Sequence, residues 1–362
     1  MKALRKLSVI LLAIMVVSLP CITGFAQANG VRQSSTQHGF KLLKETYIDS
    51  IQSTVLQYEH VKSGTKLMYL KNADMNKVFA ITFRTPASDN TDVNHVIEHC
   101  LLQGSKNYPV KSMITAMNSR SMKTFFNAMT RNDTTSYVAA SKNHKDFKNL
   151  VSVYMDAVFY PNVLTNPNIF LQEKGHYELD SPEAELRYNG VVYNERKGKS
   201  SPLDLLFGRI GQLLFPATEY KYCGSPEGIQ NLTYEHLVNT YKKYYHPSNS
   251  YIYLYGDLNV DEILELLDSE YLSKLTRKEI DSRIKLQEPL GKRADCTVEY
   301  GIFQDEPPEN KAYLSWSCVL DKATNVEVAK AFDIISVLLF NTAAAFRKAL
   351  ANKGFSDIYY SV

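Results

Sequence analysis

The sequence predicts an α+β fold in which an antiparallel sheet carries its helices on one face. Two observations support this prediction, and the length of the chain adds a second prediction. Short β-rich runs occur in adjacent pairs, as in hairpins. Segments with helical apolar spacing are grouped between these pairs, where a parallel βαβ protein would alternate single strands and helices. The chain has 362 residues, which is long for one core and predicts two domains.

The first elements are a hairpin, a helix and a second hairpin. The runs TKLMYLKN (65–72) and KVFAITFRT (77–85) predict two antiparallel strands joined by ADMN. Residues 88–105 predict a helix that Asp89 or Asp92 caps and Gly104 ends. The segment TFFNAMTRNDTTSYVAAS (124–141) predicts a hairpin around a polar turn at 131–133.

Helices dominate the following segments. Residues 144–161 have apolar side chains at helical spacing, and Pro161 ends the pattern. These apolar positions are Phe147, Leu150, Val151, Tyr154, Met155 and Val158. Further helical stretches are predicted at 166–180, 187–215, 233–247 and 259–275, with a strand at 250–259.

The domain organisation follows from shifts in composition. Residues 29–275 form the first domain, and the charged segment 276–295 is a predicted linker. The second unit, 296–362, begins with two predicted strands, CTVEYGIF (296–303) and NKAYLSWSCVL (310–320), and a helix at 325–340. This unit is short for such a domain, so we expect it to be the incomplete start of one.

Residues 1–28 have the pattern of a secretory signal peptide. Lys2, Arg5 and Lys6 precede an apolar run that is too short to span a bilayer, and Ala26-Gln27-Ala28 fits a cleavage site. We therefore expect export to a periplasmic or extracellular space, with no membrane span after cleavage. Cleavage removes three of the 41 basic residues and leaves 38 against 38 acidic residues, so the charge gives no support for a nucleic-acid partner.

The stretch HVIEH (95–99) is the strongest candidate for a metal site. His95 and His99 are four residues apart, so on a helix they share one face and can bind one metal ion. Glu98 is placed to act as a general base, and zinc suits this ligand set. A solvated helix face is the alternative interpretation. A third ligand must come from another element, and Glu195, Glu173 and Glu178 are all candidates.

An ordered set of segments decides between these interpretations. The set is HVIEHCLLQGSKNYPVK, FFNAMT, NLVSVYMDAVFYP, EKGHYEL, GVVYNERKG and YYHPSNSYIYLYGD. From about residue 40 onward, the chain resembles the N-terminal portion of the pitrilysin/insulinase superfamily of inverted-motif zinc metallopeptidases, in its presequence-protease branch. The resemblance implies a pitrilysin-like metallopeptidase domain followed by the incomplete start of a similar one.

The resemblance also implies roles for individual residues. His95, His99 and Glu195 match the family's zinc ligands, with one zinc ion per chain, and Glu98 matches its general base. FFNAMT matches an exposed edge strand on which Asn127 and Ala128 contact the substrate backbone. His176 and Glu178 lie in a matching segment, where they support the ligands or the local structure.

The function implied is a zinc endopeptidase that binds unfolded peptides as an added β-strand. The implied partners are peptide substrates and the C-terminal half of the same enzyme, or a partner chain, which closes the chamber. The alternatives are a non-catalytic peptide-binding or assembly subunit and an inactive fragment of a larger peptidase that lacks its C-terminal half.

Overall fold

The computed structural model describes residues 36–355, apart from residues 200, 223, 303, 308, 310 and 323. The predicted signal peptide, residues 1–28, lies outside this range. The described chain divides into two compact units. The first contains the residues up to Thr85, Asn94–Phe170 and Tyr234–Ser282, and the second contains Pro86–Val93, Leu171–Thr233 and the residues from Arg283 onward.

Ten strands occur in the described part of the chain. They are β1 (Thr36–Gln37), β2 (Phe40–Ile48), β3 (Ser53–His60), β4 (Lys66–Lys71), β5 (Lys77–Arg84), β6 (Lys123–Thr130), β7 (Thr134–Ser141), β8 (His176–Glu178), β9 (Arg187–Asn189) and β10 (Ser250–Gly256). Eight of them form one sheet in the order β1-β2-β3-β4-β10-β5-β7-β6, and β8 pairs with β9 in a small antiparallel hairpin. Neighbours in the large sheet are antiparallel except β4 and β10, which are parallel. The predicted α+β class is therefore confirmed.

The helices of the described chain are α1 (Val93–Leu101), α2 (Met113–Arg120), α3 (His144–Phe159), α4 (Pro167–Lys174), α5 (Val191–Gly198), α6 (Pro202–Leu214), α7 (Pro226–Gln230), α8 (Tyr234–Tyr244), α9 (Val260–Glu270), α10 (Val326–Phe340) and α11 (Ala345–Ala351). Among the described helices none alone has the length and apolar character to cross a membrane, although α10 and α11, bent by 51°, meet that test as a pair.

The core of the first unit lies between the sheet and α3. All six apolar positions predicted for this helix are fully buried. They face β5 and β7, where Phe79, Ile81 and Tyr137 are also fully buried. Burying apolar side chains contributes about 25 cal/mol per Å² removed from water, so this interface is a main source of the unit's stability.

The first predicted hairpin is wrong, because β4 and β5 are not neighbours. Strand β10 lies between them, parallel to β4 and antiparallel to β5. The connection at residues 72–76 is long enough to cross two strand spacings, about 10 Å, so it does not force a hairpin. It passes over the end of β10 at Gly256, where a Cβ atom would lie 2.8 Å from the carbonyl oxygen of Asp74.

Two further predictions of secondary structure need correction. The described residues of 296–303 and 310–320 form no strand, because no described segment pairs with them and an isolated strand has no hydrogen-bonded neighbour. The helices predicted over 166–180 and 187–215 are interrupted by β8 and β9. By contrast, the β6–β7 hairpin and the helix now labelled α10 are confirmed.

A buried carboxylate holds the loop that follows α1. Asp156 of α3 is fully buried and accepts hydrogen bonds from Ser105 Oγ (2.6 Å), Asn107 N (2.8 Å) and Asn107 Nδ2 (2.8 Å). We expect Asp156→Asn to lower the free energy of unfolding by about 2–4 kcal/mol, because the amide loses one acceptor and turns a donor toward another donor. Urea denaturation measures this change.

The matched control for this substitution is Asp180→Asn. Asp180 is exposed and ion-paired with Arg187, so its replacement should cost less than about 1 kcal/mol. Equal losses in the two variants would show that the buried carboxylate does not hold the loop.

Candidate functional site

Helix α1 carries three of the predicted site residues. Its positions Val96, Ile97, Cys100 and Leu101 are fully buried, so apolar packing fixes the helix along one side. One turn separates His95 from His99, and their ring centroids lie 4.9 Å apart with an angle of 83° between the planes. The two imidazoles are therefore neighbours, as the i, i+4 spacing predicts.

Helix α5 supplies the third member of the group. Val192 is fully buried and anchors this helix. Its start is fixed by Gly190, where a Cβ atom would lie 2.3 Å from the Cα of Gly175, so the two chain segments touch backbone to backbone. Potential ligand atoms of His95, His99 and Glu195 all lie within 4.8 Å of one another.

The competing carboxylates do not join this group in the described chain. Glu173 is buried and accepts a hydrogen bond from Gln172 (2.7 Å). Glu178 accepts one from Asn189 Nδ2 (2.9 Å) and lies 3.2 Å from His176 Nε2. The arrangement therefore favours Glu195 over both as a third ligand.

The group fits a zinc ion by chemistry and by spacing. Two imidazole nitrogens and one carboxylate oxygen make a ligand set typical of catalytic zinc. Tetrahedral bonds of about 2.0–2.2 Å place ligand atoms about 3.4 Å apart, so small side-chain rotations would suffice. Glu195 also forms an ion pair with Lys199 one turn later, and its side chain is 31% exposed. A metal ion would compete with that ammonium group for the carboxylate.

Glu98 lies in a buried, hydroxyl-rich environment. It is 7% exposed, and Thr130 Oγ1 donates a hydrogen bond to its Oε2 at 2.5 Å. Burial raises the pKa of Tyr154 well above its ordinary value, and the negative charge of Glu98 raises it further. Tyr154 therefore stays protonated, and its hydroxyl donates to the carbonyl oxygen of Asn127 at 2.8 Å.

The predicted substrate strand is β6, which stands last in the described sheet. Asn127 is exposed, whereas its neighbours Phe126 and Ala128 are 8% and 7% exposed, so the strand turns alternate side chains to opposite faces. The backbone N–H of Ala128 donates to Asn127 Oδ1 at 3.0 Å. The strand thus satisfies one of its own backbone donors with a side chain.

His176 and Glu178 belong to β8, beside the segment that leads into α5. Glu178 accepts from Asn189, and Asn189 Oδ1 accepts from Asn194 Nδ2 at 2.7 Å. Asn194 directly precedes Glu195. This series of hydrogen bonds links Glu178 to the start of the helix that carries the candidate ligand.

Two contacts near the site were missed by sequence reasoning. Arg196, next to Glu195, binds Asp92 through Nε–Oδ2 (2.5 Å) and Nη2–Oδ1 (3.0 Å). Asp92 has a φ of 57°, which is uncommon for a residue other than glycine. The second contact is that of Thr130 with Glu98. Strand alternation from Ala128 places Thr130 on the buried face, and this was the available signal.

Comparisons with known proteins agree with this fold and identify the family to which the chain is similar. The family model for insulinase, peptidase family M16, matches residues 85–195, and the model for the peptidase M16 inactive domain matches residues 231–361. Protein HypA of Clostridium perfringens is 44% identical over 327 residues, which are 89% of this chain and 34% of HypA.

Two further similarities come from a plant protein and a solved structure. Presequence protease 1, chloroplastic/mitochondrial, of Arabidopsis thaliana is 37% identical over 330 residues, covering 89% of this chain and 30% of that protein. The crystal structure of pitrilysin has a TM-score of 0.50 at 16% identity, over 69% of this chain and 26% of pitrilysin, which indicates a shared fold. The chain spans about a third of the length of the curated relatives it matches.

Proposed function

Because the chain belongs to the pitrilysin/insulinase superfamily of peptidases, in its presequence-protease branch, we propose that it acts as a zinc metalloendopeptidase. The observation that carries this proposal is the grouping of His95, His99 and Glu195. These three side chains would hold one zinc ion. When bound, zinc would polarise the scissile carbonyl and make a water molecule more acidic.

Glu98 takes the role of general base. It follows His95 by three residues on α1 and precedes His99 directly, so its carboxylate belongs to the same helical turn as the ligands. It accepts a proton from the attacking water and then passes it to the leaving amine. Its burial shields that carboxylate from bulk water and strengthens its interactions with neighbouring groups.

Unfolded peptides are the proposed substrates, bound as an additional strand beside β6. Backbone hydrogen bonds along an edge strand give affinity without demanding a particular sequence. Asn127 and Ala128 would make these contacts, with the Ala128 N–H passing from its own neighbour's side chain to the peptide. Folded proteins would be poor substrates, because most of their backbone N–H and C=O groups are already hydrogen-bonded.

Other parts of the chain would stabilise the site, bind a partner and direct export. His176 and Glu178 would support α5 through Asn189 and Asn194. The C-terminal half of the same enzyme, or a partner chain, would close the chamber around the peptide, consistent with the greater length of the relatives. Residues 1–28 would direct export to a periplasmic or extracellular space.

A non-catalytic subunit is less favoured, since a binding protein does not need the full set of His95, Glu98, His99 and Glu195.

Metal removal tests this proposal. The purified full-length protein should contain one zinc ion per chain by elemental analysis and should cleave an unfolded fluorogenic peptide. Treatment with 1,10-phenanthroline should reduce cleavage by at least about 100-fold, since zinc supplies several kcal/mol of transition-state stabilisation. After removal of the chelator, zinc equimolar with the protein should restore cleavage.

The control is the isomer 1,7-phenanthroline, which does not chelate and should leave the rate unchanged. Cleavage that persists in metal-free protein would contradict the zinc mechanism. One zinc ion per chain with peptide binding but no turnover would favour the inactive fragment of a larger peptidase, whereas the absence of both zinc and turnover would favour the non-catalytic subunit.

A further inference from the structure

The hydroxyl of Thr130 makes a short contact to the carboxylate of Glu98. Thr130 is the last residue of β6, and its Oγ1 lies 2.5 Å from Glu98 Oε2 and 3.4 Å from Thr135 Oγ1. A threonine hydroxyl has one proton, and an ionised carboxylate can only accept. The Thr130 hydroxyl therefore donates a short, charge-assisted hydrogen bond to Glu98 Oε2.

The position of Thr130 is itself fixed by buried hydroxyl groups. Thr135 pairs with Thr130 across the β6–β7 hairpin and is fully buried. Its Oγ1 lies 2.8 Å from Thr85 Oγ1. The carbonyl oxygen of Thr85 in turn accepts from Asn94 Nδ2 at 2.7 Å, and Asn94 is the second residue of α1. The contacts thus run from the start of α1 through β7 to the end of β6 and back to Glu98.

We propose that Thr130 is a positioning residue that holds the Glu98 carboxylate in the orientation needed for proton transfer. This inference rests on the proposed peptidase function and assigns a new role within it. Ala128, a proposed contact of the peptide backbone, lies two residues earlier on the same strand. Because strands alternate, the side chains of Ala128 and Thr130 share one face of β6. Strand β6 would therefore set both the path of the bound peptide and the orientation of the Glu98 carboxylate.

A structural role for the hydroxyl would have a different signature. If Thr130 only satisfied a buried oxygen, its loss would lower stability and would leave kcat in the remaining folded protein unchanged. If it orients Glu98, its loss lowers kcat, while KM and metal content stay close to those of the parent. An orientation error of about 1 Å at a reacting group can reduce a rate on the order of 100-fold.

The test compares Thr130→Val with Thr130→Ser in the full-length protein. Valine has nearly the same shape but no hydroxyl, whereas serine keeps the hydroxyl and loses a methyl group. We expect Thr130→Val to reduce kcat about 10–100-fold, with KM within about twofold and one zinc ion per chain, and Thr130→Ser to stay within about threefold of the parent. Thr82→Val is the control for loss of a strand hydroxyl, because the hydroxyl of Thr82 on β5 contacts Ser136 Oγ (2.8 Å) and not a carboxylate.

A double-mutant cycle with Glu98→Gln makes the test specific. If Thr130 acts through Glu98, adding Thr130→Val to Glu98→Gln should change the residual rate by less than about twofold. Additive losses in the cycle, an unchanged kcat in Thr130→Val, or equal losses in the valine and serine variants would each overturn the inference. A parent protein that binds no zinc and cleaves no peptide would instead refute the proposed function itself.

Discussion

Replacing Glu98 by glutamine is expected to reduce peptide hydrolysis by about 10²–10⁴-fold, the usual contribution of a general base. The amide has the same shape as the carboxylate, and its oxygen can still accept the hydrogen bond from Thr130. It cannot accept a proton from water at neutral pH. The zinc content should remain at one ion per chain, because Glu98 is not a member of the ligand group. Steady-state cleavage of a fluorogenic peptide and elemental analysis measure the two quantities.

Glu183→Gln is the matched control for Glu98→Gln, since Glu183 is exposed and lies outside the site. It should leave both the rate and the zinc content unchanged. A Glu98→Gln enzyme that cleaved at the parent rate would show that another group takes the proton. A loss of zinc together with activity would show instead that Glu98 belongs to the ligand set.

The largest effect on metal binding is expected from His95→Ala and Glu195→Gln. Each variant removes or weakens one of three protein ligands, so zinc content after dialysis should fall to below about a tenth of an ion per chain for His95→Ala. Glu195→Gln should retain more zinc than His95→Ala, because its amide oxygen can still act as a ligand, although a weaker one than a carboxylate. Competition with a chromogenic chelator gives the affinity of each variant, independently of catalysis.

His144→Ala provides the control for the histidine substitution. His144 begins α3, and its Nε2 contacts Glu262 at 2.7 Å, outside the metal group. Its zinc content should equal that of the parent protein. Full zinc retention in both His95→Ala and Glu195→Gln would rule out the proposed ligand set.

Sequence patterns predicted those parts of the fold that depend on local contacts. The β6–β7 hairpin formed as expected, because its two strands are joined by a short polar turn in which Arg131 N donates to Thr134 O. The periodicity of α3 identified its buried face correctly. Strand β10 could not be placed between β4 and β5, since its pairing with segments more than 160 residues away leaves no local signal.

The candidate site shows the same division between local and distant contacts. The neighbouring rings of His95 and His99 follow from one turn of helix. Glu195 was preferred over Glu173 and Glu178 only through the resemblance, because the residues alone left the choice open. The ion pair of Asp92 with Arg196 joins residues 104 positions apart, and spacing along the chain does not reveal it.

The hydrogen bond from Ala128 N–H to the side chain of Asn127 has a consequence for how the protein behaves in a crowded solution. An edge strand with open backbone groups is a template for pairing with any other exposed strand, including that of a second copy. Here one such donor is occupied by the strand's own side chain. An incoming strand must displace this contact, which is worth about 1 kcal/mol, before it gains its own. This cost is small for a partner that pairs along the whole strand and is relatively larger for a partner that forms only one or two hydrogen bonds. We therefore expect Asn127 to disfavour short, nonspecific pairing at this edge.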